Sequence, residues 1–266
     1  MPLAVCATPI GNLSDVSLRL LDELGRADLI ACEDTRRTGV LLAGHGIQAR
    51  LVSLHEHNEA RRVPELLARL EAGERIALVS DAGMPGVSDP GSRLIAAALG
   101  AGLAVTVLPG PSAVTAALAA SGLGGGGFVF CGFLPRAAAA LDELVQRLDA
   151  TGLPLVAFES PRRLPGTLRR LAARHPDRHA AVCRELSKLH EQIERGTLAG
   201  LAETFSEPPK GEVTLVLQAG AAAQPEADAA ALAELAEAVG ARRAAELAAR
   251  LTGLPRNQLY AQLVKR

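Results

Sequence analysis

The residues best suited to chemistry lie in Ser80-Asp81-Ala82-Gly83-Met84-Pro85-Gly86 and Ser88-Asp89-Pro90-Gly91, directly after the apolar run Ile76–Val79. Asp81 and Asp89 bring fixed negative charge, Pro85 and Pro90 stiffen the loop, and Gly83, Gly86 and Gly91 let the backbone approach a ligand or turn with positive φ. Such a loop can shape a pocket for a cationic small molecule. From these residues alone, an ordinary βα turn with an aspartate cap reads as well.

Other groups with chemical potential cluster where further apolar runs end. Glu33-Asp34-Thr35-Arg36 follows Leu29–Cys32, Arg184-Glu185-Leu186-Ser187-Lys188 follows Ala180–Cys183, and Lys210-Gly211-Glu212 precedes Val213–Gln218. The chain has only three lysines, so Lys188 and Lys210 stand out against its many arginines, whose doublets elsewhere read as solvated helix faces. Several enzyme classes fall away. No GxGxxG follows a strand, no GxxxxGK[ST] occurs and no GxSxG elbow appears. His55-Glu56-His57 lacks a third clear ligand, so no metal site is expected. Cys6, Cys32, Cys131 and Cys183 form no CxxC and lie in or beside apolar runs, as buried free thiols of a reducing cytoplasm do.

The elements that must hold these groups alternate strand with helix. Leu3–Ala7, Leu29–Cys32, Leu51–Leu54, Ile76–Val79 and Val105–Leu108 each end in a polar or Gly/Pro loop, with helices near 14–24, up to 72, 92–101 and up to 120 between and after them. That pattern predicts an α/β domain with a mainly parallel sheet, whose ligands bind at the carboxyl ends of the strands. Ser121–Gly127 is the clearest linker. A second, mixed α/β domain follows, with strands near 128–133, 155–158, 180–183, 192–194 and 213–218, and Ala219–Pro225 forms a second linker. We therefore expect domains at 1–122 and 123–220, and a helical appendage at 221–266. In the last of these, Ala227–Gly240 carries only acidic charge and Ala241–Arg266 is basic apart from Glu246. Thr252-Gly253-Leu254-Pro255 there separates two helices, as a helix–turn–helix or a plain αα-hairpin would.

With 266 residues, 48% hydrophobic and 21% charged, the chain is globular and long enough for two cores. No apolar run approaches the roughly 20 residues of a membrane span, and MPLAVCATPIGN has no basic segment of a signal peptide. A cytoplasmic location is expected. A net charge of −1 gives no global pull toward nucleic acid, and 2% aromatics leave few platforms for stacking bases.

Taken together, the short motifs resemble those of the tetrapyrrole-methylase-type methyltransferases, and within that superfamily the bacterial ribosomal RNA small-subunit methyltransferase I family. They run in order from Thr8-Pro9-Ile10-Gly11-Asn12-Leu13 through Glu33–Arg36, Ser80–Gly83, Asp89–Gly91, Leu108–Pro111, Gly132–Pro135, Phe158–Ser160, Arg184–Leu186 and Lys210–Glu212 to Arg256-Asn257-x-Leu259-Tyr260. Departures are Met84, Phe158, Arg162 and Ser187, where the family usually shows Thr, Tyr, His and Thr. Arg136–Ala140 is also poorer in basic residues than the family's segment.

The resemblance implies two α/β domains with a cleft for S-adenosylmethionine between them, and methyl transfer to a ribose 2′-hydroxyl of a decoding-region cytidine in 16S ribosomal RNA. It implies Pro9, Gly11, Asp81, Gly83, Met84, Ser112, Ala113, Phe158 and Gly211 around the cofactor. Arg36, Arg37 and Lys188 would face RNA of the small ribosomal subunit, and a homodimer is expected. Glu33, Asp34, Glu185 and Lys210 all remain candidates to assist loss of the hydroxyl proton. Three rival readings stay open: a same-fold methyltransferase with a small tetrapyrrole or protein substrate, an α/β enzyme handling a phosphorylated metabolite, and a non-enzymatic ribosome-assembly factor.

Overall fold

A computed structural model describes residues 2–220 and 229–264. Its strands are β1 (Leu3–Cys6), β2 (Leu29–Cys32), β3 (Leu51–Ser53), β4 (Ile76–Val79), β5 (Val105–Leu108), β6 (Val129–Phe133), β7 (Leu155–Glu159), β8 (His179–Arg184), β9 (Gln192–Thr197) and β10 (Val213–Leu217). Its α-helices are α1 (Leu18–Arg26), α2 (Thr35–Gly44), α3 (Glu59–Glu71), α4 (Ser92–Gly100), α5 (Ala113–Ser121), α6 (Ala138–Asp149), α7 (Leu164–Arg174), α8 (Leu198–Thr204), α9 (Ala229–Val239), α10 (Ala241–Thr252) and α11 (Arg256–Val264). The chain divides into two compact units, Met1–Val145 with Leu153–Gln218, and Gln146–Gly152 with Ala219–Arg266. Both sheets belong to the first.

The first sheet has the order β3-β2-β4-β1-β5, and every neighbouring pair is parallel. Its strands are short apolar runs because both faces are covered. Successive side chains point to opposite faces. Leu3, Val5, Leu29, Ala31, Ile76 and Leu78 pack with Leu66 and Leu70 of α3 and Leu94 and Ala98 of α4. Ala4, Cys6, Ile30, Cys32, Ala77 and Val79 face Leu20 and Leu24 of α1 and Leu41 and Leu42 of α2. Each fully buried leucine contributes about 1.5–3 kcal/mol.

The second sheet, β6-β7-β10-β8-β9, is mixed: β6 and β7 run parallel and the other pairs antiparallel. Helix α5 leaves the first sheet through β5 and lays Val114 and Ala117 against Val156, Ala181, Cys183 and Val216 of the second. Helix α5 thus joins the two sheets, and loops from both line a cavity at its N-terminus.

The expected fold class is present: two α/β sheets of the anticipated kinds and a C-terminal helical part. One local expectation is corrected. The helix foreseen from about Ser14 to Leu24 is a 3-10 turn at Leu13–Asp15 followed by α1. Two side chains divide it, for Asn12 accepts a hydrogen bond from the Ser14 N–H, and Ser17 accepts one from the Leu20 N–H as the cap of α1. In the second unit a third helix, α9, joins the two foreseen, and Leu232, Ala245, Ala248, Leu254 and Leu259 form the core. The stretch 221–228, with most of the second linker, and Lys265 and Arg266 lie outside the described residues.

Candidate active site

The loops after β1 and β4, adjacent strands, are stitched together. Thr8 N–H donates to the Gly83 carbonyl at 2.9 Å, and Gly83 N–H returns the bond to Thr8 at 3.0 Å. Thr8 Oγ1 also donates to the Ser80 carbonyl at 3.1 Å, and Ser80 Oγ to the Gly83 carbonyl at 3.2 Å. Gly83 adopts φ +78°, which an L side chain resists, and it is buried. Farther along, Gly91 at φ +118° begins α4 with no room for a Cβ, which would lie 2.8 Å from Leu78 Cδ2. The carboxylate of Glu59 on α3 replaces the missing side-chain cap: it accepts from Gly91 N–H at 3.0 Å and from Arg93 N–H at 3.3 Å. The backbone of this region is therefore fixed at both ends.

Two adjoining cavities open beside these loops. The first, of about 420 Å³, is walled by Gly83, Met84, Val87 and Asp89, by Ser112–Val114 at the start of α5, and by Phe133, Phe158, Leu186, Gly211 and Thr214 from the second sheet. The second, of about 360 Å³, is lined by Thr8–Gly11, Asp81, Arg37, Thr38, Val40 and Lys188. Ile10, Ala82 and Glu212 border both. A mostly apolar cavity of this size with a few converging polar groups is suited to a small organic ligand.

The four candidates for proton transfer are not equivalent. Asp34 caps α2 through the Arg36 N–H and binds the Arg36 guanidinium with both oxygens, at 3.1 and 2.7 Å. These bonds hold its carboxyl down at about 2, which leaves it a poor base. Glu33 is pushed upward, first by burial and then by the charge of Asp81. Burial, followed by the charge of Glu33, likewise raises Asp89 to about 6. Lys210 is exposed and lines neither cavity; its carbonyl accepts from Arg184 Nη1 at 3.0 Å. Glu185 is pinned: Oε1 accepts from Lys188 Nζ at 2.9 Å and from Glu212 N–H at 3.0 Å, and the Lys188 hydrogen bond foremost holds its carboxyl below the usual range. Lys188 Nζ also donates to Glu212 Oε2 at 2.8 Å. Burial opposes the charge on Lys188, but the hydrogen bonds it donates to Glu212 and Glu185 outweigh burial and hold it above its ordinary range.

Glycines make this packing possible. A Cβ on Gly11 would collide with the Lys188 side chain, and one on Gly211, at φ +94°, would collide with the Glu185 carboxyl. Asn12 N–H donates to Ser187 Oγ at 3.0 Å, which brings the loop after β8 against the loop after β1.

Among known proteins, residues 2–202 match the Tetrapyrrole (Corrin/Porphyrin) Methylases, and residues 221–266 match the RsmI C-terminal HTH domain. A Ribosomal RNA small subunit methyltransferase I from Mesorhizobium japonicum is 44% identical over 99% of this chain and 91% of its own length. The chain belongs to the ribosomal RNA small subunit methyltransferase I family. Another member, from Thermotoga maritima, is 44% identical over 81% of this chain and 97% of its own length. Two solved structures share the fold: diphthine synthase, with a TM-score of 0.65 and 18% identity over 81% of this chain and 89% of its own, and the methyltransferase CobJ, with 0.63 and 19% over 82% and 93%. The chain is a methyltransferase, and the family read from its motifs is the one to which it belongs.

In this family member the nine expected cofactor residues divide. Gly83, Met84, Ser112, Ala113, Phe158 and Gly211 line the first cavity, whereas Pro9, Gly11 and Asp81 line the second. Asp81 is engaged there, accepting from Asp34 N–H at 2.9 Å and pairing with Arg37 Nη1 at 3.4 Å. Of the residues expected to face RNA, Arg37 and Lys188 line the second cavity, and Arg36, exposed, pairs with Asp34 outside it. Asp89, singled out in the sequence, lines the first cavity, whereas the sequence reading assigned no role to Phe133 on that wall or to Glu212 at the boundary. Each sits inside or beside a quoted motif, but nothing local announces that Glu212 meets Lys188. His55 and His57 have ring centroids 6.0 Å apart, and among the described residues no group of three or more His, Cys, Asp or Glu is placed to hold a metal.

Proposed function

We propose that this methyltransferase moves the methyl group of S-adenosylmethionine to a ribose 2′-hydroxyl of a decoding-region cytidine in 16S ribosomal RNA, within the small ribosomal subunit. The observation that carries this reading is the pair of cavities meeting at Ile10, Ala82 and Glu212, one apolar and sized for a nucleoside, the other bearing Arg37 and Lys188. The residues present suit the cofactor. Gly83 has no Cβ to fill the cradle, Met84, Val114, Phe158 and Leu186 give apolar walls, and Asp89, Ser112 and Thr214 give polar contacts. When bound, the cofactor supplies an already activated methyl electrophile.

This chain's own residues do the rest. The Thr8–Gly83 pair and the Glu59 cap fix one wall, and α5 holds that wall against the second sheet. Positioning of this kind contributes roughly 7–11 kcal/mol to a bimolecular transfer. Arg37 and Lys188 offer cationic partners to phosphates, which set register without reading sequence. Relatives named Ribosomal RNA small subunit methyltransferase I support ribosomal RNA as the acceptor. With a net charge of −1 and 2% aromatics, the chain has little general affinity for naked RNA, so the shape of the assembled subunit supplies specificity.

The test is incubation with tritiated S-adenosylmethionine and unmethylated small subunits, followed by mapping of the label. Label on a decoding-region ribose is the expected result, with protein-free RNA a poor substrate. Retention of label on a base, on protein, or equally on a short oligonucleotide would refute it.

A further inference from the structure

Among the described residues, Glu212 is the one acidic side chain that borders both cavities. Its surroundings hold it in place from several directions. Its N–H donates to Glu185 Oε1 at 3.0 Å, its carbonyl accepts from Glu185 N–H at 3.0 Å, and its Oε2 accepts from Lys188 Nζ at 2.8 Å. Gly211 before it sits at φ +94° with Glu185 filling the space a side chain would need. Against this fixed backbone the carboxylate itself remains accessible: its side chain is 67% exposed, compared with 18% for Glu185. Oε1 has no hydrogen-bond partner among the described residues. A carboxylate with one oxygen anchored and the other open at the meeting point of two cavities is arranged to receive a proton.

We propose that Glu212 is the catalytic proton acceptor of the transfer, and that Lys188, shared between Glu185 and Glu212, is the positioning residue that aims it. The inference rests on the reading of the two cavities given above. As the ribose 2′-oxygen bonds to the methyl carbon, the electron pair of the breaking S–C bond stays on sulfur, and the hydroxyl proton passes to Glu212 Oε1. Exposure then lets the proton leave to solvent. Lys188 cannot take this role, because both carboxylates hold it protonated. Glu33, Asp34 and Glu185 line neither cavity, Asp34 being also engaged by Arg36, and Asp89 lines only the first. Among the described residues, the charged and titratable groups facing Glu212 are Glu185 and Lys188 in direct contact, Arg37 and Asp81 on the wall of the second cavity, and Asp89, Glu159 and Cys183 on the wall of the first.

The deciding experiment measures kcat, KM for small subunits and cofactor affinity for the unaltered chain, E212Q, E212D and K188M across pH 4–9. Loss of a general base costs about 10²–10⁴-fold. E212Q should therefore lose at least about a hundredfold in kcat, keep its cofactor affinity within about threefold, and lose the acid limb of the pH profile. E212D should recover part of the rate together with that limb. K188M should lower kcat less and shift the limb. An E212Q rate near that of the unaltered chain, or a loss confined to KM with the profile unchanged, would overturn the proposal while leaving the methyl-transfer reading intact. Absence of methyl transfer by the unaltered chain would overturn both.

Discussion

The two sheets contribute to the site by different physical means. The parallel sheet offers backbone: Thr8 and Gly83 exchange main-chain hydrogen bonds, and glycines at φ +78° and +118° let the loop turn where side chains would not fit. The mixed sheet offers ionised side chains locked in networks. Glu159, at the end of β7, is fully buried and accepts from Ser160 N–H at 2.6 Å, Thr167 Oγ1 at 2.6 Å and Arg163 Nη2 at 3.2 Å. Arg163 Nη2 donates onward to the Leu134 carbonyl at 2.6 Å and the Pro135 carbonyl at 3.1 Å, joining the segment after β6 to the start of α7. On the other side of β10, Glu185, Lys188 and Glu212 form the second network. One half of the site is specified by where side chains are absent, the other by which charges meet. The two halves should therefore fail differently.

The parallel half should break most completely at Gly83. A valine there must adopt φ near +78° and project toward Ile10 Cγ2 and Pro111 O, each 3.6 Å from the Cβ position. Strain and overpacking each cost about 1–3 kcal/mol, so G83V should weaken cofactor binding by at least about a hundredfold. The core lies elsewhere, so the unfolding transition should stay cooperative. Titration calorimetry showing unchanged affinity would place the cofactor away from this loop.

The mixed half should fail through stability. Removing one member of a buried pair typically costs about 3–5 kcal/mol. Arg163 is 29% exposed and keeps its two carbonyl acceptors, so E159A should cost nearer 2–3 kcal/mol in urea unfolding. A loss below about 0.5 kcal/mol would mean that the network is not a structural clamp.

Much of the parallel half was legible in the sequence, because Leu3/Val5 against Ala4/Cys6 alternate by face and Gly/Pro loops follow each strand. Lys188 and Glu212 were harder to join. They are far apart in sequence, and only the antiparallel pairing of β8 with β10, Arg184 opposite Val213, brings their loops together. Asp81 shows a different limit: its loop is legible in the sequence, but only the fold shows its side chain turning to Asp34 N–H and Arg37 on the wall of the second cavity. Spacing locates a loop, whereas the direction of a side chain depends on partners from other strands.

A smaller effect separates the halves by pH. Burial, and then the charge of Glu33, raise Asp89 from its ordinary 3.8 to about 6. The folded chain therefore binds this proton more tightly than the unfolded chain does. The contribution of Asp89 to stability is full below about 3.8 and is lost as pH rises through about 6. Glu185 has the opposite sign: its lowered carboxyl contributes stability above its ordinary value, lost as pH falls through the depressed one. D89N should flatten the decline of the urea midpoint between pH 4 and 6. An unchanged slope in D89N would assign that decline to other groups.

The smallest effect should come from the thiols, although Cys183 lines the first cavity. Cys6, Cys32 and Cys183 are buried, and Cys131 is half-buried. Burial pushes Cys6 up to about 12, and Cys131 and Cys183 up to about 11, so at neutral pH each stays a protonated, weakly nucleophilic packing group. Replacing Cys183 by alanine removes one sulfur from a wall shared with Val114 and Leu186 and leaves every charged network untouched. C183A should lose about 1 kcal/mol of stability, keep cofactor affinity within about threefold, and transfer methyl at nearly the original rate. Slow alkylation of the native chain by iodoacetamide should accompany this result. If folded C183A instead binds cofactor normally but transfers no methyl, the thiol takes part in the reaction, and the division between a backbone-built half and a charge-built half is incomplete.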